Sequence, residues 1–332
     1  MVIREYSKVE LVFSSSESEA VKIALVNLRR DLIRTLDCSV TAGGIIRILV
    51  GTVGNLPELD EKADISKLRA EDGTYRKEAF LIQEKDGELL IVGTDRRGTI
   101  YGIYDFCEWL GVSPWYFFAD VPVRRRSEAV IENGYCKVDY PSVEYRGIFI
   151  NDEEELEHWV WRYMGETTIG VKTYEKIFEL LLRLKLNYIW PAMHVNSFNL
   201  KQENGALANR MDIVVGTSHC DMLMRSNNRE WKPWLAKKGY TDVEYDFSIP
   251  GRNREILKEY WRESVEQNRD FEVSYTVGMR GIHDSGFETK SLEGLTGEKL
   301  LKAKIELLES VMAAQQEILS ETLDTEPMKT FV

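Results

Sequence analysis

The residues of this 332-residue chain that could do chemistry fall in a regular pattern. In the second half, short apolar and β-branched runs each give way at once to polar side chains. "YRGIFI" leads to Asn151 and Asp152, "LNYIW" to Trp190, Met193 and His194, "DIVVG" to Ser218, His219 and Asp221, and "VSYTVG" to Arg280, His283 and Asp284. Three of the four histidines stand at such positions. Two carboxyl groups across a glycosidic bond can divide the work of hydrolysis, one protonating the leaving oxygen and one activating water or attacking carbon. Asp152 suits a base or a sugar-hydroxyl binder and Asp284 an acid or base, with Glu153, Glu154, Glu155, Asp221 and Glu288 nearby. The competing reading of Asp152 is that "NDEEE" caps the next element and faces solvent.

Arg280 offers a planar fork of donors that matches a carboxylate, so it serves either an acidic substrate or an internal ion pair with Asp284 or Glu288. His194, His219 and His283 suit sugar hydroxyls or a substrate carboxylate; with Asp284 they are also the ligand types of a zinc or iron site, although no HExxH spacing is present. Trp190 and Tyr188 fit one wall of a sugar site, or Trp190 ends a strand inside the core. His158 has no partner in the pattern. The GxGxxG, GxxxxGK and GxSxG spacings are absent, so "GTDRRGTIYG" reads as a strand-to-helix turn and Ser218 carries no nucleophile signal.

The elements that must position these residues follow from periodicity. Strands before the polar clusters, with helical stretches such as "TYEKIFELLLRLK", "NREILKEYWRESVEQN" and "GEKLLKAKIELLESVMAAQQEILSETL", predict a parallel sheet with crossover helices. The carboxyl ends of such strands are where loops converge into sites. The first half reads as a small α/β layer: a strand to about Phe13, a helix capped by Ser16 with Glu19 completing a capping box, and Val21, Leu25, Leu28 and Leu32 on its buried face. Next come "IIRILVG", a hairpin turning at Lys85 to Gly87, and a helix from Arg97 to Leu110. The division expected is an N-terminal α/β domain over 1–130, a linker over 131–143 marked by Pro141, and a second domain over 144–332.

A formal net charge of -12 argues against nucleic acid, and the one compact basic run, Arg124 to Arg126, reads as a solvated loop. The four cysteines have no short-spaced pair, so neither a disulfide framework nor a sulfur-rich zinc site is indicated. No apolar run approaches a membrane span, and "MVIREYSKVE" carries charge where a signal peptide is apolar, so a cytoplasmic product is expected.

The blocks "GTDRRGTIYGIYDFCEWLGVSPWYFFADVPV", "YRGIFINDEEE", "LLLRLKLNYIWPAMH", "MDIVVGTSHCDMLMRSNNREW" and "YTVGMRGIHDSGFE" together resemble glycoside hydrolase family 115. The resemblance implies an α/β domain before a (β/α)8 barrel of the TIM type, and inverting α-glucuronidase activity on glucuronic or 4-O-methylglucuronic acid side groups of xylan, with no cofactor or metal. It places Asp152 and Asn151 after the first barrel strand, Trp190 and His194 after the second, His219 after the third, and Arg280 with the acid Asp284 after the fourth. Where many members read "GMRGDGD", this chain reads "GMRGIHD", with Ile282 and His283 in place of an acid and a glycine. On this likeness the chain is expected to be an N-terminal portion only, carrying the first half of the barrel. Full glycosidase activity is then not expected of it alone, and a homodimer would cover the open strand edges. Two alternatives stay open: a non-catalytic carbohydrate-binding or assembly module, and a metal-dependent hydrolase or isomerase built on the histidines.

Overall fold

The computed structural model describes residues 1–152, 154–282 and 285–323. The chain divides into two compact units, the first made of residues 1–146 with 176–187 and 210–212, the second of the remainder.

The first unit contains β1 (Val2–Arg4), β2 (Lys8–Val12), α1 (Glu19–Leu36), β3 (Ser39–Val40), β4 (Ile46–Thr52), α2 (Pro57–Lys62), β5 (Phe80–Lys85), β6 (Glu88–Gly93), α3 (Arg96–Leu110), β7 (Glu128–Val130) and β8 (Cys136–Asp139). Six of these strands form one sheet in the order β3-β2-β4-β6-β5-β8, parallel from β3 to β6 and antiparallel at β5 and β8. The apolar stripe of α1 is buried as its spacing predicts, with Val21, Leu28 and Leu32 wholly inaccessible. Asp86 and Gly87 take the positive φ that a two-residue hairpin requires, which sets the register between β5 and β6.

Local chemistry differs from expectation at two places. The cap of α1 is Ser18, whose hydroxyl accepts from the Val21 amide at 3.3 Å, while Ser16 pairs with the Ser14 hydroxyl. Glu19 is therefore the first helical residue, where its charge favours the positive end of the helix dipole. Cys136–Asp139, inside the expected linker, is the edge strand β8 paired with β5. At the start of α3, the Asp95 side chain accepts from the Gly98 amide at 2.8 Å, and a Cβ at Gly93 or Gly98 would overlap backbone atoms. Those glycines serve close packing at a strand-to-helix turn.

The second unit contains β9 (Gly147–Phe149), α4 (Glu154–Trp159), the start of α5 (Val171–Arg183), β10 (Tyr188–Trp190), α6 (Gln202–Arg210) except its last residue, β11 (Val214–Val215), β12 (Asp221–Met222), β13 (Arg225–Ser226), α7 (Trp231–Lys238), α8 (Arg252–Asn268) and α9 (Gly297–Leu323). β9, β10 and β11 lie side by side, parallel and in chain order, and a parallel bridge from Val215 to Val273 adds the segment expected as the next strand. Among the described residues this sheet does not close into a barrel. An aromatic core built on Trp231, Trp234, Tyr260 and Trp261 packs with Leu257, Val311 and Ile318 and anchors α7, α8 and α9. The described residues include no helix long and apolar enough to cross a membrane.

Residues 176–187 put two buried charges into the first unit. Arg183 bonds Asp31 at 2.7 Å and Glu179 at 2.9 Å, and Glu179 also accepts from Arg30 at 2.7 Å and from the Tyr116 hydroxyl at 3.0 Å. Burial works to raise the Glu179 carboxyl, but the Arg183 and Arg30 guanidiniums outweigh it and hold the group at about 2. Removing one partner leaves the other charge buried, so Glu179→Ala is expected to destabilise the chain by about 3–5 kcal/mol in urea unfolding at pH 7. A loss below about 1 kcal/mol, the range of an exposed pair, would contradict this reading.

Candidate active site

The polar residues that follow the parallel strands are drawn together by one buried carboxylate. Asp152 is wholly inaccessible. Its Oδ1 accepts from the His194 amide at 2.9 Å, and its Oδ2 from the Val195 amide at 2.9 Å, the Asn196 amide at 2.7 Å and the Asn196 side chain at 2.8 Å. A buried carboxylate must find donors, and three successive N–H groups supply them. The loop after β10 is thus wrapped around the residue that follows β9. Asn196 extends the tie by accepting from the Ile169 amide at 3.1 Å.

Further loops are linked in turn. The His194 carbonyl accepts from Arg229 Nε at 3.2 Å and from Asn228 Nδ2 at 3.4 Å. Asn227 donates to the Gly281 carbonyl at 2.9 Å, which joins the loop after β11 to "GMRG". Gly278, at φ +133°, has its N–H bonded to Gln315 Oε1 at 2.6 Å and its carbonyl to Gln315 Nε2 at 2.9 Å. This wholly buried glutamine of α9 replaces the missing sheet partners of that residue.

One wall is aromatic. Trp190, 37% exposed, donates from Nε1 to the Tyr188 hydroxyl at 3.0 Å and meets Phe149 edge-on at 5.9 Å between centroids. Both Tyr188 and Trp190 lie against the backbone of Gly216, where an added Cβ would overlap the Tyr188 hydroxyl.

The hairpin of β12 and β13 was not legible in the sequence. Leu223 and Met224 form its turn at φ +50° and +65°, both buried, without the Asn-Gly pair that such turns favour. Left-handed backbone costs a non-glycine residue about 1–2 kcal/mol, and the Leu223 amide is held by the Thr276 carbonyl at 2.8 Å. The turn sets Asp221 opposite Ser226. Next to it, the buried Arg225 guanidinium bonds Glu230 at 2.7 Å, and Glu230 also accepts from the Ser226 amide at 3.2 Å. Burial first, then the Glu230 and Asp152 carboxylates, push the Asp221 carboxyl up to about 8 against a hydrogen bond with Ser226 that lowers it.

Of the residues expected from the sequence, the structure joins Asp152, His194 and the Arg280 segment in this network. Trp190 stands on the aromatic wall, and Asn151 and His219 are exposed. His283 and Asp284 lie outside the described residues. Asn196, Asn227, Glu230 and Gln315 were not expected. Gln315 alone had a visible signal, a polar residue four positions after Val311 and three before Ile318 on an apolar helical stripe.

A parallel α/β unit whose loops converge beyond the carboxyl ends of its strands, with buried acids and an aromatic wall, has the form of a carbohydrate-active enzyme site. Residues 138–331 match the model of Glycosyl hydrolase family 115. A solved structure described as a family GH115 4-O-methyl-alpha-glucuronidase, BtGH115A, with specificity for decorated arabinogalactans is 31% identical over 97% of this chain, with a TM-score of 0.83. The chain therefore belongs to glycosyl hydrolase family 115. The expectation that the chain is an N-terminal portion only is corrected by that match, which covers 97% of this chain and takes in both units. The chain spans 41% of the length of that structure. A second solved structure, described as a GH138 enzyme targeting pectin rhamnogalacturonan II, is 13% identical over 96% of this chain and 34% of its own, with a TM-score of 0.50, and shares the fold. No curated protein matches.

Two outcomes test this geometry. An Asp near 3.9 when unfolded and about 8 when folded keeps its proton longer in the folded state. The stability it contributes is therefore full below about pH 4 and is lost as pH rises towards 8. Urea unfolding at pH 5, 7 and 9 is expected to show Asp221→Asn gaining on the parent chain as pH rises; a constant difference would refute the assignment. Gln315→Leu strands the Gly278 N–H and carbonyl and is expected to cost about 2–4 kcal/mol. A change within about 0.5 kcal/mol would mean that Gln315 does not hold this loop.

Proposed function

We propose that this protein acts in glycoside hydrolysis of the inverting α-glucuronidase type, releasing glucuronic or 4-O-methylglucuronic acid side groups from a decorated polysaccharide. The observation that carries the reading is the loop network centred on Asp152, in a chain of this family. The parallel, chain-ordered strands support their being consecutive strands of a (β/α)8 barrel.

In this reading Asp284 is the general acid. It gives its proton to the leaving oxygen as the glycosidic C–O bond breaks, and a water deprotonated by a second carboxylate forms the new C–O bond from the opposite face. Asp152, with both oxygens taken by backbone and amide donors, positions the loop that presents His194. Trp190 and Tyr188 supply the apolar face on which a sugar ring stacks. Arg280 matches the substrate carboxylate, and His219, His283 and Asn151 contribute hydroxyl contacts. Xylan is the polymer first expected; the description of BtGH115A makes decorated arabinogalactan an equal candidate.

The test is release of uronic acid from aldouronic oligosaccharides and from glucuronosylated arabinogalactan fragments, with the anomer of the fresh product read by NMR. The expected product is the β-anomer, and Asp284→Asn is expected to lower kcat by about 10²–10⁴-fold. Equal rates for the parent chain and Asp284→Asn would remove Asp284 from the mechanism. Binding of the same oligosaccharides without turnover would favour a carbohydrate-binding module instead.

A further inference from the structure

We infer that the loop after β11 carries a niche that holds one hydroxyl group between Asp221 and Asn227. The niche is a cavity of about 20 Å³ whose lining includes Met193, His194, Cys220, Asp221, Asn227 and Asn228. That volume takes one water-sized group and no more.

Its polar chemistry is specific. Asn227 is 2% exposed, and its amide is oriented by donation to the Gly281 carbonyl at 2.9 Å and the Arg280 carbonyl at 3.5 Å. Oδ1 is thereby turned away from those carbonyls and is a buried acceptor with no partner among the described residues. A buried acceptor of this kind calls for a donor. Asp221, 7% exposed, keeps its proton at neutral pH and so presents an O–H donor. A hydroxyl, which donates and accepts at once, satisfies both. A carboxylate brings no donor for Asn227, a phosphate is too large for a cavity of this volume, and a metal ion would have to displace the Asp221 proton.

The surroundings hold this state in place. Among the described residues the charged and titratable groups around Asp221 are Glu230 and Arg225, paired at 2.7 Å, the Asp152 carboxylate after β9, His194 after β10, the Cys220 thiol, and the Tyr245 and Tyr260 hydroxyls. The Glu230 and Asp152 carboxylates oppose ionisation of Asp221, and Arg225 is already engaged by Glu230. The strained Leu223–Met224 turn sets the position of Asp221.

The hydroxyl comes either from a resident water or from the substrate sugar, and assigning it to a sugar rests on the glycosidase reading above. The experiment is an atomic-resolution crystal structure of the chain before and after soaking with glucuronic acid. It is joined by calorimetric titration of glucuronic acid into the parent chain, Asp221→Asn and Asn227→Ala between pH 6 and 9. Density about 2.6–3.2 Å from both the Asp221 carboxyl and Asn227 Oδ1 is expected. A sugar hydroxyl there in the soaked crystal, with affinity at least about tenfold weaker in Asn227→Ala and falling above pH 8 in the parent chain but not in Asp221→Asn, identifies the substrate as the source. A water that persists under the bound sugar, with affinity independent of pH, identifies the resident source. No density between the two side chains, or an anion or metal ion there, overturns the inference. The soaked and unsoaked structures judge the niche whether or not the chain hydrolyses uronosides, so failure of the niche and failure of the glycosidase reading are separately visible.

Discussion

The architecture of the site depends on burying one charge, the carboxylate of Asp152, out of reach of water. Such a group is tolerated only when its oxygens are met by donors, and here the donors are three consecutive backbone amides and one side-chain amide of 194–196. The consequence is mechanical. The loop after β10 takes the path that brings its N–H groups to Asp152, and this fixes where the His194 carbonyl stands. Arg229 and Asn228 bind that carbonyl, Asn227 binds Gly281, and Gln315 binds both backbone polar groups of Gly278. Loops that have no regular structure of their own are thereby tied to one another by hydrogen bonds.

Within this frame the acids are given different surroundings. Glu230 is paired with the Arg225 guanidinium, while Asp221, a short distance along the chain, is driven towards its neutral form by burial and by the neighbouring Glu230 and Asp152. Dividing carboxyl groups between charged and protonated forms is how one site holds acceptors and donors together at a single pH. Burial achieves this for Asp221, and burial depends on the strained hairpin, whose cost is borne by the aromatic core around Trp231 and Tyr260.

Much of the framework was legible in the residues. The helical stripe of α1, the hairpin at Asp86 and Gly87, the long helix of 297–323 and the parallel strands after 145, 186 and 212 all follow from spacing, because periodicity is written locally, while the fourth expected strand, "VSYTVG", is reduced to a single bridge at Val273. Other features were not. Four serines between 14 and 18 made the cap of α1 ambiguous, and only the hydrogen bond to Val21 selects Ser18. β8 looked like a linker because its pairing lies with β5, more than fifty residues away. Leu-Met carries no turn signal, so the β12–β13 hairpin had no local mark.

The sequence by itself determined which residues could carry chemistry and that they would follow successive strands, since residue type and apolar period are properties of short segments. Tertiary structure decided what each of them does. Asp152 reads as a base, a sugar-hydroxyl binder or a solvent-facing cap, and folding buries it against the loop of 194–196; Asp221 reads as one acid among several and is set apart by its burial; Asn227 and Gln315 gained their contacts from loops remote in the chain. Hydrogen-bond partners and desolvation depend on what folding brings alongside a residue, and that is not encoded in the few positions around it.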